Sequence, residues 1–288
     1  MIKESELLIN EDKSIYHINL RPEDIADTII LVGDPDRVEM VAAHFDNIEV
    51  KKHKREFYTV TGYYNQKRIT VLSTGIGTDN IDIVINELDA LVNIDLEKRE
   101  IKKEKKSLQF VRVGTTGGLQ EKFVPGSYIV SEKSIGFDGM LNFYKDITKI
   151  TDSDFEKAFM KHTDWNPRLS TPYVVNASEI LMNKIKGDNF FKGVTIASNG
   201  FYGPQGRELR LKTTDNQLND KIQSFEYKGQ KISNYEMESS ALYGLSNMLG
   251  HEALTVCLVI ANRVSKKSIP DYHPMMEKLI KEILDKLC

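Results

Sequence analysis

The run Thr28-Ile29-Ile30-Leu31-Val32 is short, apolar or β-branched throughout, and stops at Gly33. Such a run reads as a strand buried on both faces. Asp34-Pro35-Asp36-Arg37 follows at once, and a helical pattern then places Val38, Val41, Ala42 and Phe45 on one side. Proline is favoured in a first helical turn, where its missing N–H leaves nothing unpaired. A buried strand feeding straight into a helix is the unit from which α/β folds are assembled.

The unit recurs. Residues 57–64 and 68–73 read as two strands joined by a turn at Asn65-Gln66-Lys67. Residues 79–93 carry Ile81, Val84, Ile85, Leu88, Leu91 and Val92 at helical spacing. Strands are expected at 108–113, 127–131, 193–198 and 252–260, and helices at 236–249 and 275–287. Gly250 would terminate the first of these helices. Residues 213–230 are polar and weakly patterned, which suggests a mobile flap. The expectation is one domain over 1–288, an α/β fold with a mixed, twisted central β-sheet flanked by helices. No linker or internal repeat divides it.

Residues 94–107 interrupt the pattern with a dense mixture of both charge signs. That mixture reads as an exposed, solvated insertion in preference to a basic nucleic-acid patch. The net charge of −3 agrees, since no bulk positive field is present to attract a polyanion. Hydrophobic residues make up 40% of the chain, enough for a sizeable core. No apolar run approaches the roughly 20 residues that span a bilayer, and the N-terminus lacks the pattern of a signal peptide. Two cysteines, Cys257 and Cys288, do not form a disulfide framework. A cytoplasmic location is expected. Six scattered histidines show no metal-ligand spacing, so no metal and no cofactor are expected.

The candidate site residues follow the expected strands, where ligands bind in α/β sheets. Gly33 allows close backbone approach, and the next helix offers free N–H groups at the positive end of its dipole. Arg37 lies one turn in and could reach the same anion; a capped turn with a surface arginine is the competing reading. Arg112 stands inside an apolar strand. A buried arginine needs an anionic or hydrogen-bonding partner, either a core carboxylate or a ligand. Gly114-Thr115-Thr116-Gly117-Gly118 follows as a loop rich in donors. Glu236 and Glu238 flank Met237 at an expected helix start, where the dipole favours carboxylates. They could equally accept hydrogen bonds from neighbouring hydroxyls. In the loop 198–207, Phe201 offers a stacking face, Gln205 both a donor and an acceptor, and Arg207 a cation. A generic turn is the alternative there.

Together these segments resemble the nucleoside phosphorylase superfamily that forms trimers or hexamers, and within it the uridine phosphorylases. The resemblance runs from about His17 to the C-terminal helix. It is carried, in the family's order, by Gly33-Asp34-Pro35-Asp36-Arg37, Arg55-Glu56-Phe57, Ser73-Thr74-Gly75-Ile76-Gly77, Arg112-Val113-Gly114-Thr115-Thr116-Gly117, Phe201 through Arg207, Tyr235-Glu236-Met237-Glu238-Ser239 and Asn262-Arg263. It implies phosphorolysis of uridine to uracil and ribose 1-phosphate, with inorganic phosphate as co-substrate. Gly33, Arg37, Arg112 and Thr115 would hold phosphate, with Arg55 reaching in from a neighbouring subunit. His17 would cross the same interface to the ribose 5′-hydroxyl, while Glu236, Met237 and Glu238 hold the sugar. Thr116, Gly117, Phe201, Gln205 and Arg207 would form the base site, and Arg263 would help close it. Gln205, Arg207, Arg263 and Arg112 would carry the chemistry. Sharing of Arg55 and His17 implies a homo-oligomer, a dimer or a trimer of dimers.

Purine-specific members carry an aspartate where this chain has Asn262, to protonate purine N7. Asparagine cannot be that acid, which favours a pyrimidine. The base loop departs from better-known bacterial members, which reverse Gly203-Pro204 and carry glutamate in place of Gly206. That difference bears on loop shape and on tolerance of a 5-methyl group or a 2′-deoxyribose. Some members bind potassium through a glutamate matching Glu56 and the carbonyl of Ile76. Their serine ligand matches Asn80 here, which argues against the ion. The rival readings are a purine or broad-specificity phosphorylase, a hydrolase using water, and a nucleoside-binding protein without turnover.

Overall fold

The computed structural model describes all residues, 1–288. In chain order the elements are β1 Thr28–Val32, α1 Pro35–Ala42, β2 Asn47–Lys54, β3 Phe57–Tyr64, β4 Lys67–Ser73, α2 Thr78–Asn93, β5 Ile94–Asp95, β6 Glu100–Ile101, β7 Gln109–Gly118 and β8 Tyr128–Gly136. They continue as α3 Ser153–Thr163, β9 Tyr173–Asn176, α4 Glu179–Lys184, β10 Phe190–Ala197, α5 Leu218–Ser224, β11 Glu226–Tyr227, β12 Gln230–Glu236, α6 Ser239–Leu249, β13 Glu252–Asn262 and α7 His273–Leu287.

One mixed sheet runs β11-β12-β10-β8-β13-β7-β1-β4-β3-β2, with β9 paired to β8. The expected α/β architecture is present. The sheet also closes on itself, because β12 pairs antiparallel with β7 through Asn234–Gly118 and Tyr235–Gly117. That pairing corrects the reading of residues 114–118 as a loop: β7 continues through them, held by β13 on one side and β12 on the other. Glycines are tolerated there because both neighbours supply the ladder bonds.

Two further expectations are corrected. Glu236 is the last residue of β12, not the first turn of a helix; α6 begins at Ser239. Residues 213–230 contain α5, whose Ile222 is fully buried with Phe225 in an apolar cluster that also takes in Phe155, Phe159 and Tyr235. A segment anchored this way is not a free flap. The insertion at 94–107 starts with the hairpin β5–β6, and Arg99 Nη1 donates to the Leu7 carbonyl at 2.8 Å, tying down the N-terminal segment. Residues 100–107 are nonetheless exposed, and buried packing resumes at Leu108. The turn between β3 and β4 is a hairpin with both Asn65 and Gln66 at positive φ, the geometry that two-residue hairpins require.

Candidate active site

A cavity of about 740 Å³ opens at the ends of β1, β4, β7 and β12. Gly33, Arg37, Arg112, Thr115, Thr116, Gly117, Phe201, Gln205, Arg207, Glu236, Met237 and Glu238 all line it. Sequence positions more than 200 residues apart are therefore brought to one wall by strand pairing: β1 lies beside β7 with Leu31 opposite Arg112.

Two buried guanidinium groups, Arg37 and Arg112, line the cavity with Gly33. Asp34 caps α1 by accepting from the Asp36 N–H at 3.0 Å, which fixes the helix start beside Gly33. Arg37 is buried on α1, and burial, then the charge of Arg112, lowers its pKa. Arg112 is 5% exposed. Its Nη2 donates to Glu238 Oε2, and its Nη1 lies 3.6 Å from Glu236 Oε2. Burial opposes the Arg112 charge, yet Glu238 and Glu236 outweigh it and raise the pKa. Nε and Nη1 have no hydrogen-bond partner within the chain. The core-carboxylate alternative is the one realised, and two nitrogens of this arginine stay without a partner in the chain. Gly114 makes room for it, since a Cβ there would lie 2.4 Å from Nη1.

In the middle of the cavity stand the carboxylates. Glu238 Oε1 accepts from the Gly77 N–H at 2.8 Å, where α2 begins. Glu236 accepts from the Glu238 N–H at 2.9 Å, the Ser239 N–H at 2.9 Å and the Ser239 hydroxyl at 2.6 Å. Its oxygens are thus spent on the start of α6, and Glu238 is the freer of the two to meet sugar hydroxyls. Burial, with Glu238 adding to it and Arg112 opposing, pushes Glu236 up to about 7.

At the far end, Arg207 stacks on Phe201 with its guanidinium carbon 3.7 Å from the ring centre. Arg207 Nη1 donates to Gln205 Oε1 at 2.6 Å, and Arg263 Nη2 donates to the same oxygen at 3.0 Å. Arg263 does not line the cavity; it lies behind Gln205, 4.8 Å from the Tyr235 ring centre. Burial, then Arg263, lowers Arg207 to about 10, so it remains a cation at neutral pH. The Thr116 hydroxyl is committed to the framework, donating to the Tyr235 carbonyl and accepting from Asn234 Nδ2 at 2.8 Å.

His17 and Arg55 do not line the cavity of their own chain. The Arg55 guanidinium is 5.9 Å from the Tyr16 ring, which meets the His17 ring edge-on at 4.9 Å. They share one surface, with His17 Nδ1 held by Glu87 at 2.5 Å. Asn262 is also outside the cavity: its amide donates to the carbonyls of Gln120 and Phe123, and its oxygen accepts from the Val264 and Ser265 N–H groups. Asn262 thus ties loops together and does not face the cavity.

Sequence reasoning left Asp34, Gly75 and Tyr235 out of the site. The sequence signal for Gly75 was a glycine just after a strand; in the fold it sits at φ +73 with Asn80 Nδ2 2.5 Å from where a Cβ would be. Glu56, Ile76 and Asn80 line the same cavity, and Asn80 Nδ2 faces the Ile76 carbonyl at 3.4 Å. No three His, Cys, Asp or Glu side chains cluster as metal ligands, and no helix is long and apolar enough to cross a membrane.

Cationic, acidic and amide-bearing side chains thus line one cleft at the strand ends of this mixed sheet. Residues 27–286 match the phosphorylase superfamily, and the chain belongs to it. It is 30% identical over 263 residues to a uridine phosphorylase of Thermococcus kodakarensis, covering 89% of this chain and 80% of that one. It is 29% identical to a DeoD-type purine nucleoside phosphorylase of Alkaliphilus metalliredigens, covering 84% and 85%. Among solved structures, a Trypanosoma brucei nucleoside phosphorylase that shows uridine phosphorylase activity superposes with a TM-score of 0.88 at 30% identity, covering 98% of this chain and 99% of that one.

Proposed function

We propose that the chain is a uridine phosphorylase, converting uridine and inorganic phosphate reversibly to uracil and α-D-ribose 1-phosphate. The observation that carries this reading is the base end of the cavity: Gln205 and Arg207 present amide and guanidinium groups to a ring with carbonyl acceptors. The order of groups along the cleft supports it. Arg37, Arg112, Thr115 and the Gly33 turn hold phosphate, Glu238 and Met237 hold ribose, and Phe201 stacks near the base.

A phosphate oxygen attacks C1′ from the face opposite the base as the C1′–N1 bond breaks. The sugar passes through a cationic state, and the bonding pair leaves with uracil. Arg207 stabilises that charge, and water supplies the proton that makes neutral uracil. No covalent enzyme intermediate and no cofactor are needed.

Arg55 and His17 serve the site of a neighbouring copy in a dimer or a trimer of dimers, with the 1–288 chain acting as one domain. Their surface position outside their own cavity supports this. Two unpaired cysteines, Cys257 buried and Cys288 exposed, suit a reducing cytoplasm. The test is phosphate-dependent release of uracil from uridine; release of hypoxanthine from inosine instead would reassign the base site to purines.

A further inference from the structure

Gly206 has φ +69, and a Cβ there would lie 2.1 Å from Asn219 Nδ2 and 2.9 Å from its Cγ. The space that any side chain at 206 would take is filled by the amide of Asn219, near the start of α5. That amide bridges two residues of the base site. Nδ2 donates to the Gln205 main-chain carbonyl at 3.2 Å, and Oδ1 accepts from the Tyr235 hydroxyl at 3.0 Å. Arg263 Nη1 donates to the same carbonyl, while Oε1 of Gln205 accepts from Arg207 and Arg263. Both oxygens of Gln205 are therefore fixed from two sides.

We propose that Asn219 is a positioning residue for base recognition, acting through the main chain of Gln205; the proposal rests on the uridine phosphorylase reading. Asparagine is suited to the place because one side chain must accept from a hydroxyl and donate to a carbonyl at once. Aspartate can accept from Tyr235 but has no proton for the Gln205 carbonyl, and would set a charged oxygen against it. Gly206 is the other half of the device. A side chain there would be strained at positive φ and would displace Asn219. Residues of α5 thus belong to the base site although none of them lines the cavity.

The experiment compares the wild type with Asn219→Ala, Asn219→Asp and Asp215→Ala, varying uridine and phosphate separately and recording thermal unfolding. Asp215 holds Lys221 at 2.8 Å on the same segment but does not touch Gln205, so its variant reports general loosening of α5. Loss of one well-placed hydrogen bond predicts a fall of about tenfold in kcat/KM for uridine in both Asn219 variants. The KM for phosphate should stay unchanged and Asp215→Ala should stay near the wild type. Wild-type kcat/KM in Asn219→Ala overturns the proposal, as does an Asp variant that keeps full activity. A loss shared by the phosphate KM, or matched by Asp215→Ala, also overturns it by showing a merely structural role. Failure of the wild type to release uracil overturns the functional reading and this one together. An active wild type with an indifferent Asn219→Ala overturns this one alone.

Discussion

Arg112 Nη2 donates to Glu238 Oε2, so a residue assigned to phosphate and one assigned to ribose are hydrogen-bonded to each other across the floor of the cavity. The pair couples the two halves of the substrate site. Glu238→Ala removes a carboxylate that would accept from sugar hydroxyls, and charge-assisted bonds of that kind are worth about 1.5–3 kcal/mol each. The expected loss in kcat/KM for the nucleoside is roughly 10²–10⁴-fold for two such bonds. Steady-state kinetics check it, and a loss under tenfold would remove Glu238 from the ribose site.

Arg207→Ala should lower turnover far more than phosphate affinity. Removing a group that stabilises developing charge typically costs about 10²–10³ in kcat. Because Arg207 contacts Phe201 and Gln205 and makes no contact with Arg37 or Arg112, the KM for phosphate should barely move. Unchanged turnover would sink the assigned role.

Arg263→Lys tests the backing of Gln205. A guanidinium reaches both the main-chain carbonyl and Oε1 of Gln205, whereas an ammonium is a single point charge and cannot reproduce that fork. The expected result is a fall of about tenfold in kcat/KM for uridine, for roughly one lost hydrogen bond, again without change in the phosphate KM.

Glu236 predicts a pH dependence of stability. Its folded-state pKa is pushed up to about 7, above the ordinary carboxylate value. Between those values the folded protein holds a proton that the unfolded chain has released. This contribution to stability is therefore complete below the unfolded pKa and is lost as pH rises through about 7. Glu236→Gln should flatten the fall in Tm between pH 5 and pH 8, roughly the window these pKa values define. Parallel Tm profiles for variant and wild type would contradict the assignment.

Subunit sharing is tested by complementation. Arg55→Ala and Arg112→Ala should each be nearly inactive alone. Co-expressed, mixed dimers would contain one site with Arg112 from its own chain and Arg55 from its partner. Random pairing then restores about a quarter of the sites. No recovery in co-purified mixed dimers would place Arg55 in its own chain's site, and full activity of Arg55→Ala alone would place it outside any site.

Much of the site was legible because its chemistry violates local pattern. Arg112 interrupts an apolar strand, and Gly114 two residues on is the space its guanidinium occupies. Gly33 and Arg37 follow a strand–turn–helix pattern that needs no distant partner to be recognised. Glu236 was misplaced because a carboxylate three residues before a helix and one in its first turn look alike in sequence; pairing with β10 makes it the end of a strand. Residues 114–118 looked like a loop because glycine and threonine cluster there, while the partners that keep them extended lie more than 100 residues away. The role of Asn219 was invisible for the same reason: it depends on the φ of Gly206 and on Tyr235, which only the folded chain brings together.

The central claim is most directly tested by incubating the protein with uridine, thymidine and inosine, each with and without phosphate, and separating the products by chromatography. Uracil and ribose 1-phosphate are expected from uridine only when phosphate is present. Uracil released equally well without phosphate, hypoxanthine as the only base released, or no base from any of the three would contradict it.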